Sequence, residues 1–193
     1  MSKVSAQIGN DYCPQTLFLY GTYKENGEPN FGLFCWFSYC WFDGLGVMVC
    51  IGGSKLTLDR IRATKVFSAN LVSEKLLPLA DRFGTIAGRK DGKMDVPFQW
   101  EKGAALDVPV LTDSPVSFEL EVDRFLPLDD KDDVVLLCKV RNVLVDPLLA
   151  QEGMTVEEKL RAIAPISTTC MTYFGWDGRA LGAWHEPGKT VTP

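Results

Sequence analysis

A short polar segment carries the side chains best suited to bind an anion. Ser54, Lys55 and Thr57 follow two glycines, which themselves follow the apolar run 47–51. This order predicts a buried strand, a polar loop and the start of a helix. The first backbone N–H groups of a helix have no partner within it. Together with two hydroxyls and one ammonium group, they could bind a phosphate or a carboxylate.

The same segment also fits a plain turn. It matches neither the phosphate-binding G-x-x-x-x-G-K-[ST] pattern nor the dinucleotide pattern G-x-G-x-x-G, and no G-x-S-x-G nucleophile motif occurs in the chain. Thr57 has a residue type that commonly caps a helix. From the residues alone, an anion site and a solvated turn capped by Thr57 both stay open.

An aromatic run precedes this segment by one predicted turn. Between residues 30 and 42 the chain is almost wholly apolar, and seven of its side chains are Phe31, Phe34, Trp36, Phe37, Tyr39, Trp41 and Phe42. Such a run predicts either core covered on both sides or a platform for a flat ring system. Its position next to the anion segment favours a single ligand that has both a ring and a phosphate.

Composition narrows the class of protein. The chain has 193 residues, a formal net charge of −5 and 46% hydrophobic residues, which predicts one domain over residues 1–193. A negative charge argues against nucleic acid as the main partner. No apolar stretch is long enough for a membrane span, and no signal sequence is evident, so we expect no membrane partner and a cytoplasmic location.

Histidine and cysteine usage excludes several kinds of site. His185 is the only histidine, which argues against a histidine-rich zinc site or a Ser–His–Asp triad, and a solvated loop is its simplest interpretation. The six cysteines form no C-x-x-C pair, so we expect reduced, structural thiols. A thiol-based redox protein using Cys35 and Cys40 is a weaker alternative, because their spacing on one strand would place them on opposite faces.

Turn signals and alternation define the predicted elements. Asn26-Gly27 predicts a hairpin. Apolar and polar residues alternate over 116–123, which predicts a strand with one buried and one solvated face. Residues 166–174 resemble a final strand, and the irregular stretch 84–109 is typical of a functional loop. Many strands with few short helices predict a mainly β, closed or partly closed antiparallel barrel.

The order of these elements resembles the flavin reductase-like, FMN-binding split-barrel family, in particular its flavoredoxin-like branch. The resemblance spans roughly residues 13–174. The matching segments are Pro14–Tyr23, Asn26-Gly27-x-Pro29-Asn30, Phe34-Cys35-Trp36, Lys55-x-Thr57, Phe67-Ser68-Ala69-Asn70-Leu71 and Gly84-x-x-x-Gly88 through Lys93. The resemblance implies an antiparallel split barrel with a few short helices.

The resemblance also implies a set of cofactor-binding residues. Thr57 and Lys55 would bind the FMN phosphate with Ser54 beside them. Backbone groups at Phe34, Cys35 and Trp36 would meet the edge of the flavin ring. Gly88 and Lys93 would approach the flavin from the later loop. No catalytic side chain is expected, since hydride transfer to a flavin requires no acid–base residue.

The implied function is electron transfer by an FMN flavoprotein, either an NAD(P)H-dependent flavin reductase or a flavoredoxin-like carrier. A homodimer and a nicotinamide dinucleotide or redox protein partner are implied too. The alternative is a split-barrel ligand-binding or sensor module without redox turnover. Two departures stand out: Cys35 replaces the usual Ser, and Lys55 replaces the Arg of many members, which removes a bidentate phosphate grip.

Overall fold

A computed structural model describes residues 2–128 and 132–192. The strands within these ranges are β1 (Gln15–Thr16), β2 (Phe18–Tyr23), β3 (Pro29–Phe34), β4 (Phe37–Trp41), β5 (Leu45–Ile51), β6 (Val66–Leu71), β7 (Trp100–Lys102), β8 (Pro109–Leu111), β9 (Val116–Pro127), β10 (Val134–Val145), β11 (Ser167–Thr169), β12 (Thr172–Phe174) and β13 (Ala180–Ala183). The helices are α1 (Leu56–Thr64), α2 (Leu77–Thr85) and α3 (Val156–Ile163), with 3₁₀ turns at Pro147–Ala150 and Pro187–Thr190.

Antiparallel pairing dominates the molecule. Seven strands form one sheet in the order β3-β2-β6-β9-β10-β5-β4, and β1-β11-β12-β13 and β7-β8 form two smaller sheets. Strands make up 39% of the chain and helices 18%. The predicted mainly β fold with a few short helices is therefore confirmed.

Strand β2 separates two hydrophobic cores because its alternate side chains enter different ones. Phe18 and Tyr20 join the core that α1 covers, whereas Leu19 joins the core that α2 covers. Strand β3 runs beside β2 in the same way, so its end at Phe34 lies between the two helices. This junction positions the polar segment that follows β5.

The aromatic run is buried over β3, where Phe31 is 0% and Phe34 9% exposed, but it is not covered on both sides from Trp36 onward. It breaks after Phe34, and β4 forms an edge of the large sheet. Trp36 is 56% exposed and Trp41 is 82% exposed. The expectation was wrong for this second part, because a run of apolar residues does not reveal which strand lies at the edge of a sheet.

Two further strand predictions need correction. The solvated face expected for β9 is buried at Ser117 and Glu119, because the Glu119 carboxylate accepts hydrogen bonds from three backbone N–H groups of the loop 104–106. The stretch 166–174 is a hairpin, β11–β12, rather than one strand. Its turn residues Cys170 and Met171 have φ of 45° and 59°, without the glycine or asparagine that usually marks such a turn.

The described residues include no helix with the length and apolar character that a membrane crossing requires. All six cysteines are free thiols. Cys35 follows β3 whereas Cys40 lies on β4, so the two do not share a strand.

Candidate functional site

A cleft of about 140 Å³ opens where α1 begins, beside the end of β3 and the loop that follows α2. We call it the cationic cleft, because its lining has three basic side chains and no carboxylate. Its lining residues are Gly32, Leu33, Phe34, Ser54, Lys55, Leu56, Thr57, Phe83, Gly84, Ile86, Ala87, Gly88, Arg89 and Lys93. The predicted residues Phe34, Ser54, Lys55, Thr57, Gly88 and Lys93 thus meet at one place, within one chain.

The N-terminus of α1 faces this cleft without a capping side chain. The helix begins at Leu56 and its N-cap is Lys55, with extended backbone and no side-chain hydrogen bond to the first turn. Thr57 is therefore inside the first turn, and the predicted cap at Thr57 is wrong. In the loop before the helix Gly53 adopts a φ of 72°, which glycine allows readily. First-turn N–H groups are left to attract an anion.

The Thr57 hydroxyl is buried and oriented by an amide. Asn30 Nδ2 donates to Thr57 Oγ1 at 3.2 Å, so the hydroxyl accepts this bond and keeps its own proton free to donate. Gly32 makes room for the hydroxyl, since a Cβ at that position would lie 3.0 Å from Thr57 Oγ1. The Thr57 hydroxyl therefore bonds to Asn30 and does not cap the helix.

Lys93 is the most unusual group in the cleft. The whole residue, which lines the cleft, is only 4% exposed, and its ammonium makes no hydrogen bond or ion pair within residues 2–128 and 132–192. Burial above all, together with the positive charges of Lys24 and Lys55, lowers the pKa of Lys93 to about 8. A buried cation without a counter-ion is costly, so an anion at this point would be strongly favoured.

Gly88 allows the loop after α2 to approach α1 closely. A Cβ on Gly88 would lie 3.0 Å from the Leu56 Cβ and 3.2 Å from Asn30 Oδ1. Asn30 Oδ1 is itself buried and has no hydrogen-bond partner. The glycine therefore shapes the wall of the cleft by the absence of a side chain.

Sequence reasoning missed Arg89 as a site residue. Arg89 donates to Ser54 Oγ at 3.3 Å and forms an ion pair with Asp59 of α1. These bonds connect the loop after α2 to the anion segment and orient the Ser54 hydroxyl. The available signal was a basic residue directly after Gly88; its partner Asp59, thirty residues away, gave no local sign.

A second cleft of about 190 Å³ adjoins the first and shares Leu33, Phe34 and Gly84 with it. We call it the apolar cleft, and its other lining residues are Leu17, Cys35, Asp81, Tyr173, Trp184 and His185. Here α2 meets the C-terminal segment. Phe34 stacks on Tyr20 with 4.5 Å between ring centroids, so its ring is part of the core, and the residue also lines both clefts. Burial raises the pKa of the Cys35 thiol, which keeps it neutral.

Trp36 does not reach either cleft. Its side chain lines a separate groove with Met48 and Cys50, and its carbonyl accepts a hydrogen bond from the Cys50 N–H at 3.0 Å. The structure thus brings Phe34 and Cys35 to the clefts but turns the next residue toward β5. No group of three or more potential metal ligands occurs among the described residues.

Together the two clefts can hold a ligand that has an anionic end and a flat apolar body. The model of the flavin reductase like domain matches residues 10–163 of the chain. The chain belongs to the flavin reductase-like family. Family membership assigns it a flavin-dependent redox function of the oxidoreductase type.

Solved structures show the same fold at low sequence identity. Nitrilotriacetate monooxygenase component B from Bacillus cereus superimposes with a TM-score of 0.78 at 13% identity, over 90% of this chain and 96% of that chain. Flavoredoxin of Desulfovibrio vulgaris (Miyazaki F) gives 0.76 at 20% identity, over 97% and 100%.

A third structure, a flavin reductase with a split barrel domain from Shewanella frigidimarina, gives 0.76 at 15% identity, over 89% and 87%. The predicted antiparallel split barrel is confirmed. The comparison with curated proteins produced no significant match.

Proposed function

We propose that this flavin reductase-like protein binds FMN across the two clefts and transfers electrons from a nicotinamide dinucleotide. The observation that carries the proposal is the unpaired Lys93 ammonium beside the uncapped start of α1. Both features match a phosphomonoester, which carries two negative charges and several strong acceptor oxygens near neutral pH.

The phosphate end would be bound in the cationic cleft. The Thr57 hydroxyl and the Lys93 ammonium each have a free proton to donate to a phosphate oxygen. Lys55 adds a solvent-exposed charge at the rim, and the Gly88 backbone closes the wall. Three cations around one anion also raise the rate at which it is captured.

The ring end would lie in the apolar cleft, along the backbone of Phe34 and Cys35. The apolar residues Leu17, Leu33 and Trp184 in its lining suit a flat ring, of which one face would stay open. When bound, the flavin supplies the hydride and electron chemistry, and the protein supplies binding and orientation. A nicotinamide would stack on the open face, which needs no separate dinucleotide motif.

The first test is the visible spectrum of the purified protein and FMN titration of the apoprotein. We expect flavin bands, and we expect Lys55→Ala combined with Thr57→Ala to weaken FMN binding by about 2–4 kcal/mol. Riboflavin, which lacks the phosphate, should bind the wild type and this variant equally. Absence of flavin bands together with no FMN uptake would rule out the proposal.

A second measurement separates an enzyme from a carrier. The FMN-loaded protein is mixed anaerobically with NADH or with NADPH, and flavin absorbance is followed. Rapid bleaching supports a reductase and identifies the preferred donor. Bleaching only when a separate reductase is added indicates a flavoredoxin-like carrier, and no bleaching with either indicates a sensor or binding module.

The proposal includes a homodimer built on the edge of the large sheet. Trp36, Tyr39 and Trp41 on or next to β4 and Trp176 after β12 are all more than half exposed. A groove of about 460 Å³ lined by Phe37, Tyr39 and Phe118 lies beside them. Exposed aromatic groups of this extent typically mark an interface, and an edge strand can pair with a second copy.

Light scattering on a size-exclusion column tests the dimer. We expect twice the chain mass of 21.4 kDa for the wild type. Trp41→Lys should shift the protein toward monomer without loss of secondary structure. A wild type that remains monomeric at micromolar concentration would contradict this part of the proposal.

A further inference from the structure

His185 is held in a fixed position at the wall of the apolar cleft. It follows β13 and has a φ of 69°, a left-handed conformation that is uncommon for a residue other than glycine. Its backbone N–H donates to Asp81 Oδ1 at 2.9 Å. His185 is an exposed turn residue, as the sequence suggested, and its backbone conformation and this hydrogen bond restrict where the imidazole lies.

Asp81 is the anchor of this arrangement. The residue is 1% exposed, and its Oδ1 also accepts from the Tyr173 hydroxyl at 2.6 Å, while Oδ2 accepts from the Gly188 N–H at 2.8 Å. The hydrogen bond to Asp81 raises the pKa of the Tyr173 phenol, in addition to the larger effect of burial. The Asp81 carboxylate and the Tyr173 hydroxyl are therefore hydrogen-bonded to each other.

The Thr85 hydroxyl bears on which ring nitrogen of His185 carries the hydrogen. Thr85 has one hydroxyl proton, which it donates to the Asp81 carbonyl oxygen at 2.8 Å. Its Oγ1 also lies 2.7 Å from His185 Nδ1, and with the hydroxyl proton on the Asp81 carbonyl the arrangement corresponds to the tautomer in which Nδ1 carries the proton and donates. In the neutral ring Nε2 is then an acceptor, and none of the described residues donates to it.

We propose that His185 is the ring-recognition residue of the site, with Nε2 accepting a hydrogen bond from the imide N–H at the edge of the flavin ring. The inference rests on the proposed function. Apart from His185 and the Cys35 thiol, the polar side-chain groups of the apolar cleft belong to Asp81, Tyr173 and Trp184, and all three are already hydrogen-bonded within the protein. No cation lines this cleft, so it suits a neutral N–H donor rather than a phosphate.

The test compares FMN with 3-methyl-FMN, in which a methyl group replaces the imide hydrogen. Dissociation constants are measured by quenching of flavin fluorescence on wild type, His185→Phe, Thr85→Val and Lys93→Met. One hydrogen bond predicts that the wild type prefers FMN by about tenfold, a ratio that His185→Phe reduces to about one. Thr85→Val, which removes the group that orients Nδ1, should reduce the ratio partway.

Lys93→Met is the matched control, because it should weaken both flavins equally and leave the ratio unchanged. Circular dichroism verifies that each variant is folded, and Thr85→Val stands in should His185→Phe fail to fold. If FMN binds the wild type but the ratio is the same in His185→Phe and Thr85→Val, the inference is wrong while the proposed function stands. If neither flavin binds the wild type, both are wrong.

Discussion

The cationic cleft and the apolar cleft treat their buried charges in opposite ways. Lys93 has no partner among the described residues, whereas the Asp81 carboxylate accepts three hydrogen bonds. A satisfied buried charge stabilises the fold, and an unsatisfied one destabilises it unless a ligand arrives. The two groups are about equally buried but indicate different roles. Asp81 maintains the structure, whereas Lys93 is suited to bind the anionic end of a ligand.

The largest effect should follow removal of the satisfied charge. Asp81→Ala leaves the Tyr173 hydroxyl and two backbone N–H groups without acceptors, which should lower the free energy of unfolding by about 3–5 kcal/mol. Urea unfolding followed by fluorescence measures it. Tyr173→Phe, which removes one of the three bonds, should cost about 1 kcal/mol. A loss below 1 kcal/mol for Asp81→Ala would show that the three bonds are replaceable by water.

Removal of the unsatisfied charge should have the opposite effect on stability. Folding lowers the Lys93 pKa from 10.5 to about 8, so its protonated form destabilises the fold fully below pH 8, and this cost disappears as pH rises toward 10.5. Lys93→Met should raise the free energy of unfolding at pH 7 by about 1–2 kcal/mol and weaken FMN binding by about 2 kcal/mol.

The exposed Lys90 in the same loop supplies the matched control for this pair of measurements. Lys90→Met removes the same charge and should change neither stability nor FMN affinity appreciably. Equal effects of the two variants would mean that net charge, rather than the buried ammonium, governs binding.

Proton binding to Lys93 should make cofactor affinity depend on pH. The phosphate is already fully charged near pH 8, so loss of the Lys93 proton above this pH is the change that weakens binding. FMN affinity should fall by up to about tenfold per pH unit above pH 8 in the wild type, and should be nearly flat in Lys93→Met. Titration at pH 7, 8 and 9 measures it; parallel curves for the two proteins would assign the dependence to another group.

The smallest effect is expected at the rim of the cationic cleft. Arg89 is exposed and pairs with Asp59, and exposed ion pairs contribute about 0.2–1 kcal/mol. Arg89→Ala should therefore weaken FMN binding by no more than about fivefold, and salt should reduce the difference. A loss as large as that of Lys93→Met would show that Arg89 contacts the phosphate directly.

The sequence predicted the cationic cleft better than the apolar cleft. Ser54, Lys55 and Thr57 lie within one turn of chain, and resemblance to the family added Gly88 and Lys93 from a single loop. Arg89 escaped notice because its role depends on Asp59 on a helix that packs against that loop. The contacts of Asp81 with His185 join residues 104 positions apart, and no local pattern marks them.

The same distinction between local and long-range contacts explains which parts of the fold could be predicted from the sequence. Alternation and turn residues predicted most strands because side-chain direction and turn geometry depend on a few neighbouring residues. The hairpin at 166–174 was missed where the turn lacks its usual residues, and the exposure of β4 was missed because strand order is not a local property.

The sequence by itself determined a mainly β chain with an anion-binding segment between a strand and a helix, and it was sufficient to suggest the family. Only the tertiary structure decided which groups surround that segment: Asn30 on the Thr57 hydroxyl, Lys93 without a partner, and His185 fixed by Asp81 and Thr85. The physical reason is the distance along the sequence over which each property is determined. Backbone conformation is set by neighbours in sequence, whereas burial and hydrogen-bond partners are set by how α1, α2 and the C-terminal segment pack on the sheet.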